Sequence, residues 1–322
     1  MTRRPGMTMT EVMVTIFVVA IGLAGVMSMF PFAAKQMSDA LISDRSTSLA
    51  ISTDGLVRGY WQDKVVENNG NNEPFWVAMD DPLSLGAHPT GTLLPRALPN
   101  EASYPVFLDP MGVQRTPTDS RAWVGDSTRT TFVPRRTMNS IGFNASLALR
   151  MFSQADGFSW DEDSQPKPGF EMRELRYNAL AVIQRPTNRD RFGATLKIVV
   201  FLNRRHLFYP VGSEASFGAT WTPGTTQIQL PTTADIKKGS WIMDATIAQV
   251  VPATTPKTYI RHANFYRVVS ATENTAGTYD VELHTPVKRV DGGTAAYGGT
   301  VVVVAGVAEV FERPILTSGV NP

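Results

Sequence analysis

Residues 3–34 read RRPGMTMTEVMVTIFVVAIGLAGVMSMFPFAA, and from Val12 to Ala34 no residue is charged. A helix needs about 20 apolar residues to cross the hydrocarbon core of a bilayer. Arg3 and Arg4 precede the run, whereas only Lys35 follows it before Asp39 and Asp44. Basic flanks stay cytoplasmic, so a single pass is expected, with the rest of the chain outside the cytoplasm. Val12, Ile16 and Val19 mark the membrane helix. Gly22 and Gly25 are places where neighbouring helices can approach closely, and Pro31 removes one backbone bond and is expected to kink the helix. Glu11 stands where the apolar stretch begins. A carboxylate at the edge of hydrocarbon is costly unless it finds a partner, which makes it a functional candidate. Thr8-x-x-Glu11 is also a capping box ahead of an apolar helix, with the acid favoured by the helix dipole.

Composition bounds the rest. With 322 residues the chain is long enough for one large domain or two ordinary ones. At 43% apolar and 18% charged residues it has the make-up of a folded protein. Lys+Arg number 30 against 29 Asp+Glu, a formal charge of +1, which excludes a globally basic nucleic-acid binder. The absence of cysteine excludes disulfides, thiol nucleophiles, Cys-ligated zinc and iron–sulfur clusters. The 22 prolines and 25 glycines do not form repeats, so collagen-like and low-complexity readings fail too.

A basic leader ending in Gly6, Glu11 five residues later and a long uncharged run together resemble the prepilin signal of type IV pilins and type II secretion pseudopilins. The resemblance covers residues 1 to about 40, and IGLAGV (residues 21–26) is closer to minor pilins and pseudopilins than to a major pilin. It implies that a dedicated peptidase cuts after Gly6 and methylates the new amino terminus, Met7, where the family most often has phenylalanine. It also implies that Glu11 pairs with the amine of a neighbouring subunit and sets the axial register while the apolar helices bundle. Other export signals fit less well. A secretory signal has a shorter apolar core and a small-x-small exit, whereas this run leaves through Phe32-Ala33-Ala34-Lys35. Arg3-Arg4 lacks the rest of a twin-arginine pattern. A plain membrane anchor explains the run but leaves the Gly6/Glu11 spacing to chance.

Beyond the run the helical spacing persists through Met37, Leu41, Leu49, Leu56 and Tyr60, predicting a helix over residues 7–60. At 1.5 Å per residue it would be roughly 80 Å long, with residues 7–34 in the membrane or filament core. Partial melting near Pro31 on assembly is a further expectation. Residues 61–174 are Pro/Gly-rich and irregular, with Asn68–Asn72 as a loop and 144–154 as a short helix. Residues 175–222 begin with a hairpin, Tyr177–Gln184 and Thr195–Leu202. The family packs such a sheet on its helix. Residues 223–297 carry short strands (Gln227–Leu230, Ser240–Val251, Asn264–Ala271, Tyr279–Leu283) and read as an inserted small β-barrel or sandwich. Residues 298–322 hold a closing strand, Thr300–Phe311, and a tail.

Catalytic signatures are missing. His88, His206, His262 and His284 are scattered and read as exposed strand or loop residues. No Gly-x-Ser-x-Gly or P-loop occurs. Gly125-Asp126-Ser127 is similar to an esterase nucleophile, but Asp280 stands four residues before His284 where three are required. Asp161-Glu162-Asp163, near Asp156-Gly157, lacks EF-hand spacing and reads as a solvated acidic loop rather than a calcium site. Arg185, Arg189 and Arg191, at the hairpin tip, form a candidate basic surface patch. Glu171, Glu174 and Asp190 interleave with the arginines and no aromatic stacking pattern accompanies them, so nucleic acid is not the expected partner.

These features predict an α+β protein with a long amino-terminal transmembrane helix packed on an antiparallel sheet and an inserted small β-domain. The expected role is structural, without an enzymatic step, cofactor or metal. It is that of a minor pilin or pseudopilin in the inner membrane, carried into a pilus or periplasmic filament. The expected partners are other pilins or pseudopilins, the prepilin peptidase, the inner-membrane assembly platform and the lipid bilayer. The alternative is a single-pass, membrane-anchored β-rich module that binds DNA, a glycan or a surface protein.

Overall fold

The computed structural model describes residues 8–68, 74–80, 96–108, 135–136, 152–154, 176–187, 189–203, 214–249, 259–275 and 277–317. Helix α1 runs Met9–Trp61, two residues inside the expected start, and continues through Pro31. It divides into two parts, one in each of the two compact units of the chain, Met1–Arg45 and Ser46–Pro322.

In the first unit the apolar side chains of α1 are exposed through Leu41, and the helix is long and apolar enough to cross a membrane. In the second unit Ser46, Leu49, Ala50, Thr53, Val57 and Trp61 are buried. Their steps of three and four residues make one stripe on a 3.6-residue helix. The helix then loosens into a π-helical turn, Gln62–Glu67, which keeps Val65 buried. A short helix α2, Pro74–Asp80, brings Phe75 and Trp76 against Trp61 at ring separations of 6.4 and 5.5 Å.

The remainder of the second unit is β. One sheet has five strands: β1 (Val106–Leu108), β2 (Arg135–Arg136), β3 (Tyr177–Gln184), β4 (Ala194–Leu202) and β13 (Val307–Leu316), in the order β13-β4-β3-β1-β2. All pairs are antiparallel except β1 with β2. Strand β3 is buried along its whole length, so both faces of the sheet are covered there. Leu180, Val182, Val199 and Phe201 pack with Met243 and Val302 of the second sheet and with Ala245 and Ala263 in the connections beside it. Alternation sends Ala179, Ala181, Leu196 and Ile198, also buried, to the opposite face. The last turns of α1 are tied to this sheet. Arg58 donates to the carbonyls of Pro314 and Ile315 on β13, and Trp61 Nε1 donates to Phe192 in the β3–β4 turn.

The second sheet has six strands: β5 (Glu214–Trp221), β6 (Gln227–Pro231), β7 (Trp241–Asp244), β10 (Asn264–Glu273), β11 (Thr278–Leu283) and β12 (Tyr297–Val304). Their order is β5-β12-β7-β10-β11-β6, all antiparallel. Its two edge strands, β5 and β6, are consecutive in the chain and approach each other without a hydrogen-bonded ladder, so the sheet curls toward closure. Trp221, Ile228, Leu230, Ile242, Tyr266, Val281 and Val301 fill its interior. A two-stranded ribbon, β8 (Ile247–Gln249) with β9 (Tyr259–Arg261), is attached.

Several sequence expectations are corrected. Ser240–Val251 is not one strand, because the Asp244 carboxylate accepts the amide and hydroxyl of Thr246 and turns the chain between β7 and β8. Thr300–Phe311 is not one closing strand either. It breaks at Ala305-Gly306, where Gly306 takes φ +77° and the Leu202 carbonyl leaves little room for a side chain. Val301–Val304 therefore belong to the six-stranded sheet, and Val307 and Val310 to the five-stranded one. The six-stranded sheet accordingly takes in strands that extend beyond residues 223–297 at both ends, β5 and β12. In the expected 144–154 helix, residues 144–151 lie outside the described residues. Ser153 makes an isolated bridge to Asn178 instead of a helical turn.

Candidate functional site

At the start of α1 the Thr8 carbonyl accepts the amides of Glu11 and Val12, so Thr8 caps the helix with its backbone. Its hydroxyl meets that of Thr10 at 3.1 Å instead of the Glu11 amide, so the expected side-chain half of the capping box is not made. Glu11 lies in the first helical turn with an exposed side chain. Gly6 and Met7 lie outside the described residues. Val12, Ile16, Val19, Gly22, Gly25 and Pro31 all sit on exposed helix.

The expected basic patch lacks Arg185, whereas Arg189 and Arg191 are exposed. Arg185 is 1% exposed, paired to Asp80 Oδ1 at 2.9 Å, with its guanidinium 4.5 Å from the Trp76 ring. It serves as a core strut joining α2 to the end of β3. Arg191 lies 5.9 Å from the same ring, and Arg189 is exposed. A guanidinium whose apolar face is stacked and whose charge is paired is stable in a core. The acidic residues 156–163, Gly125–Ser127, His88 and His206 lie outside the described residues. Among the described residues no three His, Cys, Asp or Glu side chains gather as a metal would require.

Two polar networks went unseen in the sequence. In the first, Asp244 Oδ2 accepts His262 Nδ1 at 2.7 Å and the Tyr297 hydroxyl at 2.8 Å, while Oδ1 accepts both donors of Thr246. His262 Nε2 accepts the Val290 amide at 3.2 Å, which fixes the neutral tautomer with its proton on Nδ1. The expectation of an exposed His262 is therefore wrong: it is fully buried and stands edge-on to Tyr297, 5.1 Å between centroids. Burial, then the charge and hydrogen bond of Asp244, push the Tyr297 phenol well above its usual range. The constituents match those of a proton relay, but the nitrogen that would face a substrate is capped by the chain. This arrangement locks the end of β7, the β9–β10 link, the start of β12 and the 284–296 connection together.

In the second network Arg261 Nη1 donates to Glu101 Oε2 at 2.8 Å and to the Ala102 carbonyl, and its guanidinium lies 4.4 Å from the Tyr104 ring. Burial alone would raise the Glu101 pKa. The hydrogen bond from Arg261 and those from the amides of Leu98 and Tyr259 outweigh it and hold the carboxyl below its ordinary value. Gln184 Nε2 bridges the carbonyls of Ser103 and Arg261. The segment 96–108 is thereby clamped to β3 of the five-stranded sheet and to β9 of the ribbon.

An open concavity of about 1000 Å³ lies on the six-stranded sheet and is lined by Gly218, Thr220, Gln229, Ser270, Asp280 and Glu282 among others. Asp280 accepts from Gln229 and Asn274, and Glu282 from Ser270, so its carboxylates are already engaged. No family model, no curated protein and no solved structure matches the chain.

Proposed function

We propose that this chain is a structural filament subunit, a minor pilin or pseudopilin of a type IV pilus or type II secretion filament. The observation that carries the reading is the change of surface along α1. Through Leu41 its apolar residues are bare, Phe17 and Phe30 being 66% and 71% exposed, and from Ser46 it presents a buried stripe to a β-rich unit. Such an apolar surface needs a bilayer or a bundle of like helices to cover it. Glu11, exposed in the first turn, is the carboxylate available to a neighbour's amine. In this reading Gly6 is the peptidase recognition residue, Met7 the methylated amine and Glu11 the assembly carboxylate. Loss of the leader removes Arg3 and Arg4 and turns the formal +1 into a small negative charge.

The partners are other pilins or pseudopilins, the prepilin peptidase, the inner-membrane assembly platform and the bilayer. The test is the intact mass and N-terminal sequence of the protein recovered from its native membrane. A chain starting at Met7 with one added methyl group is expected. A start at Met1 would leave a membrane-tethered binding module, and the groove bearing Asp280 and Glu282 would become the place to seek its ligand. A start beyond Ala34 would indicate a secreted protein and overturn the proposal.

A further inference from the structure

One lysine crosses between the two sheets. Lys197, on β4, shares a strand face with Val199 and Phe201, which pack on the six-stranded sheet. Its Nζ donates to the Ala263 carbonyl at 2.8 Å and to Asn264 Oδ1 at 3.0 Å. The Asn264 amide is held from its other side, since Nδ2 donates to the Lys288 carbonyl at 3.3 Å. Glu312 stands directly across the β13–β4 ladder from Lys197, and it lines a cavity of about 170 Å³ with Asn264, Tyr266, Lys288 and Val310. The other nearby carboxylate, Asp244, is the ladder partner of Asn264, but its oxygens are occupied by His262, Tyr297 and Thr246.

An amine becomes nucleophilic when it loses its charge. Burial pushes the Lys197 ammonium down to about 8, with the charge of Lys288 acting in the same direction and Glu312 and Asp244 opposing. Roughly a tenth of the side chain is then neutral at pH 7. Fixed proximity between an amine and an amide replaces a bimolecular encounter by an intramolecular step. No role in assembly or anchoring uses these residues, and a chain without cysteine has no disulfide with which to join its sheets.

We propose that Lys197 and Asn264 form an intramolecular isopeptide bond joining the five-stranded sheet to the six-stranded one. Lys197 Nζ attacks Cγ of Asn264, the carbon bearing the oxygen it already touches. The new C–N bond forms, the Cγ–Nδ2 bond breaks, and Nδ2 leaves as ammonia. The proton shed by the attacking amine passes to the Glu312 carboxylate, which returns it to the departing nitrogen. An amine and a primary amide become a secondary amide and ammonia, with no change of oxidation state. The bond stands or falls independently of the filament reading, because it needs only the second compact unit.

The test is the intact mass of the full chain, compared with the mass its own N-terminus specifies, followed by peptide mapping. The expected product is one ammonia lighter and yields a branched peptide joining Lys197 to Asn264. Lys197→Arg and Asn264→Ala are expected to restore the full mass, and Glu312→Gln to slow or abolish the loss. Lys197→Arg keeps the positive charge and donor capacity, so a native circular dichroism spectrum would show that the fold persists without the link. A wild-type chain of full mass would overturn the proposal. So would an ammonia loss that survives Lys197→Arg without a branched peptide, since that is a succinimide at Asn264.

Discussion

Asp244 accepts hydrogen bonds from His262, Tyr297 and both donors of Thr246, all inside a region closed to water. Removing the acceptor strands several buried donors at once, which costs far more than a single exchanged hydrogen bond. Asp244→Ala is expected to destabilise the β-rich unit by about 3–5 kcal/mol, measured by urea denaturation, and Asp244→Asn by less because the shape is kept. Glu101 gives a pH signature. Its folded pKa lies below its unfolded value, so the stabilisation is complete above the unfolded pKa, about 4.3, and is lost as pH falls through the folded value. Stability of Glu101→Gln measured across that acidic range is expected to show a smaller acid-induced loss than wild type. None of these residues has a local signature. Asp244, His262 and Tyr297 come from strand ends or connections far apart in the chain, and Arg185 reads as surface charge in a sequence because Trp76 and Asp80, which close over it, lie more than a hundred residues away.

Helix α1 was legible at the scale of the element, since an uncharged run followed by a narrow apolar stripe dictates one helix with two different surroundings. The inner stripe makes a prediction. Leu49→Ala is expected to cost about 2–5 kcal/mol, whereas Ile51→Ala, at a position 59% exposed, changes stability within about 0.5 kcal/mol. Denaturation of the detergent-solubilised chain compares the two. Glu11→Ala is expected to leave that stability unchanged while abolishing incorporation into filaments, read by sheared-filament immunoblotting, and normal incorporation would remove the assembly role from Glu11. The strands were legible where polar turns bound them, as in β3 and β4. The boundary at Ala305-Gly306 was hidden inside a run of valines, because residues suited to strands on either side say nothing about which sheet each joins.

Two sheets of different connectivity share one apolar layer in the second compact unit, made by Phe107, Leu180, Val199, Phe201, Met243 and Val302. The chain passes from the six-stranded to the five-stranded sheet within two residues, and the Lys197–Asn264 contact crosses between the same two sheets. A covalent bond there would close a loop between residues 67 apart, worth about 4 kcal/mol by loop entropy. Lys197→Arg is therefore expected to lower the melting temperature by on the order of 10 °C. An unchanged melting temperature would mean that the junction holds by packing alone.

The sequence by itself determined the α+β class, the apolar helix with its acidic first turn, and the hairpin of β3 and β4. Each is written in short-range periodicity, charge and turn residues that act within a few positions of one another. Only the tertiary structure decided which strands share a sheet, that His262 and Arg185 are buried, and that Lys197 meets Asn264. Those outcomes depend on contacts between segments tens of residues apart, whose partners are chosen by burial and by the closing of a curled sheet rather than by any local pattern.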